Sequence, residues 1–137
     1  RSAFRRRRCL VLADGFYEWR QIPGQKGKVP MYIQMKYREL FAFAGLWEHW
    51  NAPDGSHILS CTIITTSPNP LMEEIHNRMP VILPKEGYSL WLSPDEEDPQ
   101  MLSELLRPYP HEEMMAYPVS TMVNSPANES PECIVPL

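Results

Sequence analysis

The sequence predicts an α+β protein with an antiparallel, strand-rich, barrel-like core and short flanking helices. Three observations lead there. Aromatic and β-branched apolar runs recur through the first half, separated by short polar links. The second half breaks that rhythm with helix-start signals such as "NPLMEEIHN". Fifteen prolines in 137 residues keep the elements short.

In chain order, "CLVLA" (9–13) reads as a buried strand, "DG" (14–15) as a turn and "FYEWRQI" (16–22) as a second strand. "VPMYIQM" (29–35) and "FAFAGLWEHW" (41–50) are two more. The proline and the Lys and Arg residues around the first of these suggest an edge or hairpin setting. "HILSCTIITT" (57–66) is a long β-branched strand. The first half is thus expected to be an antiparallel meander. Residues 69–77 fit a short helix, with Asn69 at the N-cap and Pro70 at its first position. "RMPVIL" (78–83) is extended, because Pro80 disfavours helix at Met79. "EGYSLWL" and "EEDPQMLSELL" suggest two further short helices, and "MMAYPVS" (114–120) a late strand.

The length suits one domain over residues 1–137. The opening "RSAFRRRRCL" has no Met and no polar lead-in, so the expectation is the later part of a domain whose N-terminal part is missing. No apolar run approaches the roughly 20 residues of a membrane helix. The cysteines, Cys9, Cys61 and Cys133, are odd in number and far apart, which fits neither a disulfide framework nor a zinc site. A reducing intracellular setting is expected, with no metal and no cofactor. The net charge is −4, yet residues 1–85 hold 12 Lys/Arg against 7 Asp/Glu, while residues 86–137 hold 1 against 10. Such asymmetry allows a basic face on an acidic chain. Arg5–Arg8 is its densest block, readable as a phosphate contact or as a solvated run beside a strand.

Glu18 lies inside "GFYEW". On a strand, Phe16, Glu18 and Arg20 share one face and Tyr17 and Trp19 the other. An aromatic neighbour raises a carboxyl pKa and a guanidinium lowers it, so Glu18 is either a tuned general acid/base or half of a surface pair. In "IHNRMP", His76 falls at a helix end and Arg78 two residues on. They read as a proton carrier beside an anion clamp, or as a helix cap and a backbone-bonding arginine. Thr65 belongs to "TTSPN", which suits ligand contacts and equally an ordinary strand-to-helix turn. Trp19 and Trp47 are base-stacking candidates, though such residues are more often core. His49, His57 and His111 show no metal-ligand spacing.

Taken together, "RCLVLADGFYEW", "FAFAGLWEHW", "CTIITT", "IHNRMPVIL" and "VNSPANESPECIVPL" resemble the SOS response-associated peptidase (SRAP) family, which includes proteins that shield abasic sites in single-stranded DNA. The resemblance implies a sensor that joins itself to the ring-opened abasic sugar. An N-terminal cysteine, absent from these residues, would supply the amine and thiol that close a thiazolidine. It assigns Glu18 and His76 as proton carriers, and Arg78, Trp19 and, with less specificity, Thr65 as DNA contacts. It implies abasic single-stranded DNA as partner, no membrane, and a cytoplasmic, nucleoid-associated site if the source is bacterial. These residues alone are expected to be inactive. The alternatives are an autoproteolytic peptidase using the same two groups, or a non-catalytic single-stranded DNA-binding module.

Overall fold

A computed structural model describes residues 2–137. Its strands are β1 (Arg8–Ala13), β2 (Phe16–Gln21), β3 (Lys28–Met35), β4 (Phe41–Asn51), β5 (His57–Ile63), β6 (Thr65–Thr66), β7 (Met79–Pro80) and β8 (Met114–Pro118). The helices are α1 (Ser2–Arg6), α2 (Pro70–Glu73), α3 (Tyr88–Leu92) and α4 (Pro99–Ser103). Strands dominate and helices are short, as an α+β chain requires. The main sheets have three strands each and do not close into a barrel. The chain folds as two compact units.

The first unit comprises the chain up to Leu12 together with Phe41–Thr66 and Pro80–Tyr109. Its sheet has the order β1-β4-β5, with β4 and β5 antiparallel from Gly45↔Ile63 to Asn51↔His57. Gly45 is glycine because β1 crosses it closely: a Cβ there would meet Cys9 Sγ at 2.9 Å and Val11 Cγ2 at 3.0 Å. Ala44, Val81, Leu83, Trp91 and Leu102 form the core, with Phe4, Leu10 and Leu46 packed on it. Backbone bonds Ala44 N–H to Val81 O (2.9 Å) and Leu83 N–H to Ala42 O (2.9 Å) lay residues 81–83 along β4.

Arg8 anchors this unit. Its guanidinium lies 5.6 Å from the Trp91 ring centre. It donates to the carbonyls of Trp91 (2.6 Å), Phe4 (2.8 Å), Arg5 (2.7 Å), Ser93 (2.7 Å) and Glu96 (2.8 Å). One side chain therefore satisfies carbonyls at the end of α1 and past the end of α3. Burial lowers its pKa, and the nearby Glu96 and Glu97 oppose that.

The second unit comprises Ala13–Leu40, Ser67–Met79 and Pro110–Leu137. Its sheet has the order β2-β3-β8, antiparallel throughout. Tyr17, Tyr32 and Tyr117 stand in one register line, with ring centres 5.3 and 5.8 Å apart. The hydroxyls of Tyr17 and Tyr117 donate to the carbonyls of Cys133 (3.2 Å) and Ile134 (2.7 Å), tying the terminal turn Pro131–Ile134 to the sheet. Asn69 caps α2 as expected: its Oδ1 accepts from Met72 N–H at 2.9 Å, and Pro70 follows. Asn69 is itself buried, with Met79 and Met114 sulfurs beside it at 3.3 and 3.4 Å.

Three expectations change. The meander does not form: β1 and β2 enter different sheets, and the strand predicted over 57–66 divides into β5 and β6. Asp14-Gly15 is no hairpin turn, because β1 and β2 do not pair; residue 15 is glycine because the Tyr32 hydroxyl occupies the place a side chain there would fill. Of the edge or hairpin setting expected for β3, the hairpin holds, since β3 pairs antiparallel with the preceding β2, but the strand is central and not an edge. Pro30 is tolerated there because it lies one residue beyond the last β8 pair, Met31↔Pro118, and its carbonyl still accepts from Val119 N–H at 3.0 Å. The chain opens on α1 before the strand, closed by Arg7 N–H to Ala3 O at 2.8 Å.

Two outcomes follow. Arg8→Met keeps the aliphatic bulk but strands several carbonyls, each costing about 1–3 kcal/mol. Urea unfolding of the variant is expected to show a loss of about 3 kcal/mol or more; an unchanged midpoint would remove Arg8 as an anchor. Burial, with smaller contributions from Asp14, Tyr117 and Tyr17, pushes the Tyr32 phenol up to about 12 from 10. The unfolded chain then releases its proton first, so stability present below pH 10 is lost as pH rises toward 12. Tyr32→Phe is expected to weaken this alkaline fall in a thermal-melt series.

Candidate functional site

β2 sets the site. Pairing with β3 places Glu18 opposite Met31 and Trp19 opposite Pro30. Phe16, Glu18 and Arg20 therefore share a face with Ile33, Met31 and Val29. Met31 and Ile33 are buried, so Glu18 meets an apolar wall on its cross-strand side. Glu18 is half-buried, and its Oε1 accepts the backbone N–H of Trp19 at 3.1 Å. This local bond holds one carboxylate oxygen at the strand and leaves the other for a second partner. Glu18 forms no ion pair among the described residues, so the surface-pair reading is not what the structure shows.

Trp19 projects from the opposite face. Its ring lies 6.4 Å from that of Tyr17, tilted by 44°. Its indole Nε1–H donates to Asn124 Oδ1 at 2.7 Å. The sequence reading gave Asn124 no role of its own. The only signal was its place in "VNSPAN", because the two partners are 105 residues apart.

α2 ends at Glu73, and the backbone N–H groups of Ile75 and His76 both reach Met72 O at 2.8 Å. The chain then folds back so that the half-buried His76 ring meets the backbone of Arg78. Arg78 N–H lies 3.2 Å from Nδ1, and Arg78 O lies 3.3 Å from the same atom. A neutral ring accepts from the N–H; a protonated ring donates to the carbonyl. Either protonation state of Nδ1 keeps a backbone partner. Nε2 makes no hydrogen bond among the described residues. The ring thus packs on Arg78 and does not cap the last carbonyls of α2. The Arg78 residue is exposed.

Glu18, Trp19, His76 and Arg78 all belong to the second unit. No hydrogen bond or ion pair joins Glu18 to His76 among the described residues. Thr65 lies exposed on β6 in the first unit, and Trp47 is partly exposed on β4 of that unit. The Arg5–Arg8 block separates into two kinds. Arg7 pairs with Glu48 at 2.7 Å and donates to Trp47 O, and Arg8 is buried; Arg5 and Arg6 are exposed. Cys133 is buried, and burial pushes the Cys9 thiol up, with Cys61 adding to the shift. Cys9 is therefore not a poised thiolate. Among the described residues, no group of three or more His, Cys, Asp or Glu is placed to hold a metal, and no helix is long and apolar enough to cross a membrane.

The comparisons with known proteins agree with one another. Residues 1–126 match the family model described as SOS response associated peptidase (SRAP). The abasic site processing protein YoqW of Bacillus subtilis (strain 168) is 55% identical over 128 residues, covering 93% of this chain and 57% of that protein. The abasic site processing protein HMCES of Gallus gallus is 37% identical over 151 residues, covering 96% and 44%. The crystal structure of a protein from Bacteroides thetaiotaomicron superposes with a TM-score of 0.90 at 30% identity, covering all of this chain and 60% of that one. The chain therefore spans little more than half the length of the YoqW protein it matches. With its fold, its "GFYEW" strand and its "IHNRMP" turn in place, the chain belongs to the SOS response associated peptidase (SRAP) family.

Proposed function

We propose that this chain is the part of an abasic-site processing protein that supplies the proton carriers and DNA contacts. The observation that carries this reading is the 55% identity, over 93% of the chain, to a protein named for abasic site processing. In this reading the nucleophile is an N-terminal cysteine, and Cys9, Cys61 and Cys133 have no part in the chemistry. Its amine adds to the C1 aldehyde of the opened sugar to give a carbinolamine. Protonation of the carbinolamine hydroxyl by Glu18 releases water and leaves the iminium. The thiol sulfur then attacks the imine carbon, loses its proton, and closes the thiazolidine. Glu18 suits both directions of transfer because one oxygen stays on the Trp19 amide while the other exchanges a proton.

His76 assists ring opening through Nε2. Ring opening moves a proton from the anomeric hydroxyl to the ring oxygen, and an imidazole nitrogen can both accept and donate one. Fixing Nδ1 against Arg78 orients the ring for that work. Arg78 holds a flanking phosphate, and Trp19 covers the gap left by the missing base. Arg5 and Arg6 are the further cations of that block left exposed for the backbone. Thr65, on β6 of the first unit, is a weaker candidate for a DNA contact of its own. Single-stranded DNA is the expected form, since its bases are open to stacking.

In the intact protein, Glu18→Gln is expected to slow crosslinking to abasic single-stranded DNA by about 100-fold or more, the usual scale for a lost general acid/base. Binding should stay within about threefold, since the side chain touches no phosphate in this reading. Denaturing gels give the rate. Wild-type crosslinking with lost removal of the leading residue would favour the peptidase reading, and no effect on either would leave a binding module. Arg78→Ala is expected to weaken binding at low salt and reduce the slope of log affinity against log salt by about 0.7, the value for one phosphate contact on a single strand. An unchanged slope would take Arg78 off the phosphate.

A further inference from the structure

We infer that Asn124 is a positioning residue for DNA recognition, acting by fixing the indole of Trp19; this rests on the reading of Trp19 as the surface that meets the lesion. The "VNSPAN" segment has no role in the chemistry above. Its construction is specific nonetheless. Residues Thr121–Asn124 form a single 3-10 turn beside β3. Ser120 Oγ accepts from Met122 N–H at 3.1 Å, and Asn128 Nδ2 donates to Met122 O at 2.7 Å. Ser125 N–H reaches the same carbonyl at 3.3 Å, and Asn128 N–H reaches Ser125 O at 3.0 Å. Both ends of the loop are thus pinned on Met122, and Asn124 is held two residues away.

The product of that framework is one outward contact, Trp19 Nε1–H to Asn124 Oδ1 at 2.7 Å. An indole has a single donor. With it occupied, Trp19 cannot donate to a phosphate and must meet nucleic acid through its ring face. Tyr17, on the same β2 face, has its ring centre 6.4 Å from that of Trp19. The bond sits where water can reach it, so it adds only modestly to stability. Its value lies in holding χ1 and χ2 of Trp19 in one setting before DNA arrives, which spares binding the cost of ordering that ring.

The test uses the full-length protein and a single-stranded oligonucleotide with one abasic site. Each of the four tryptophans in these residues gives an indole N–H signal in a two-dimensional NMR spectrum, and Trp19→Phe assigns the one from Trp19. Asn124→Ala is expected to move that signal alone and speed its exchange with water. It should weaken oligonucleotide binding about fivefold, a fraction of what a stacked base contributes. In the Trp19→Phe background it should add nothing. Asn124→Leu, similar in size but without an acceptor, should repeat the result if the alanine variant folds poorly, and Asn124→Asp should restore the indole signal. A fivefold loss that persists in the Trp19→Phe background overturns the inference, as does wild-type binding by a variant whose indole signal has moved. Wild-type binding by Trp19→Phe itself would instead remove the reading of Trp19 on which the inference rests.

Discussion

The pairing of β2 with β3 is the constraint from which the candidate site follows. A strand alternates its side chains, so one register sends Glu18 toward Met31 and Trp19 toward Pro30. A slip of one residue would exchange them. The carboxylate would then join the tyrosine line and the indole would face the apolar wall. The register is held by the buried residues of β3, Met31, Tyr32, Ile33 and Met35, which leave little freedom for a shift. Tyr32 adds a second lock, because its hydroxyl fills the space over Gly15 just before β2 begins. Glycine is required there for the closeness of a ring, not for a turn.

Much of this was legible in the residues and some was not, for a physical reason. Strand identity depends on local pattern, so β1 to β5 and β8 stand close to where the apolar runs place them. The α2 cap is also local: Asn69 and Pro70 act within one turn. Pairing depends on distant segments, and there local pattern fails. β1 lies beside β4, and β3 pairs with β8 some 80 residues later. Pro30 looked like an edge signal because the pattern could not show that β8 stops one residue short of it. Asn124 was invisible for the same reason, as its partner lies 105 residues away.

The arginine block shows why charge composition is a weak guide to binding. Four consecutive arginines look alike in sequence, and the fold uses them differently. Arg8 spends its donors on five carbonyls under Trp91, and Arg7 on Glu48 and the Trp47 carbonyl. Only Arg5 and Arg6 keep exposed heads, and Arg6 lies 3.8 Å from Glu97. A guanidinium's planar fork is suited to either task, and the neighbouring carbonyls decide which. The basic surplus of residues 1–85 is therefore partly structural, and the cations left for a phosphate chain are fewer than the count suggests.

The two proposed proton carriers share a design. Glu18 rests one oxygen on the Trp19 amide, and His76 rests Nδ1 on the backbone of Arg78. In each case a backbone group two residues away or fewer holds one atom of the acid/base and leaves the other atom for exchange. Side-chain partners would be weaker supports, since they cost rotamer entropy to order and their own charge would shift the titration. A backbone amide brings neither burden. It also ties each carrier to a residue given a DNA-binding role, Trp19 in one case and Arg78 in the other. Movement of the indole would pull on the amide that holds Glu18, and movement of Arg78 would pull on the ring of His76. In the proposed reading, seating the nucleic acid and aligning the proton carriers become a single local event at each of the two motifs, where the acid and the tryptophan are adjacent in "GFYEW" and the histidine and arginine nearly so in "IHNRMP".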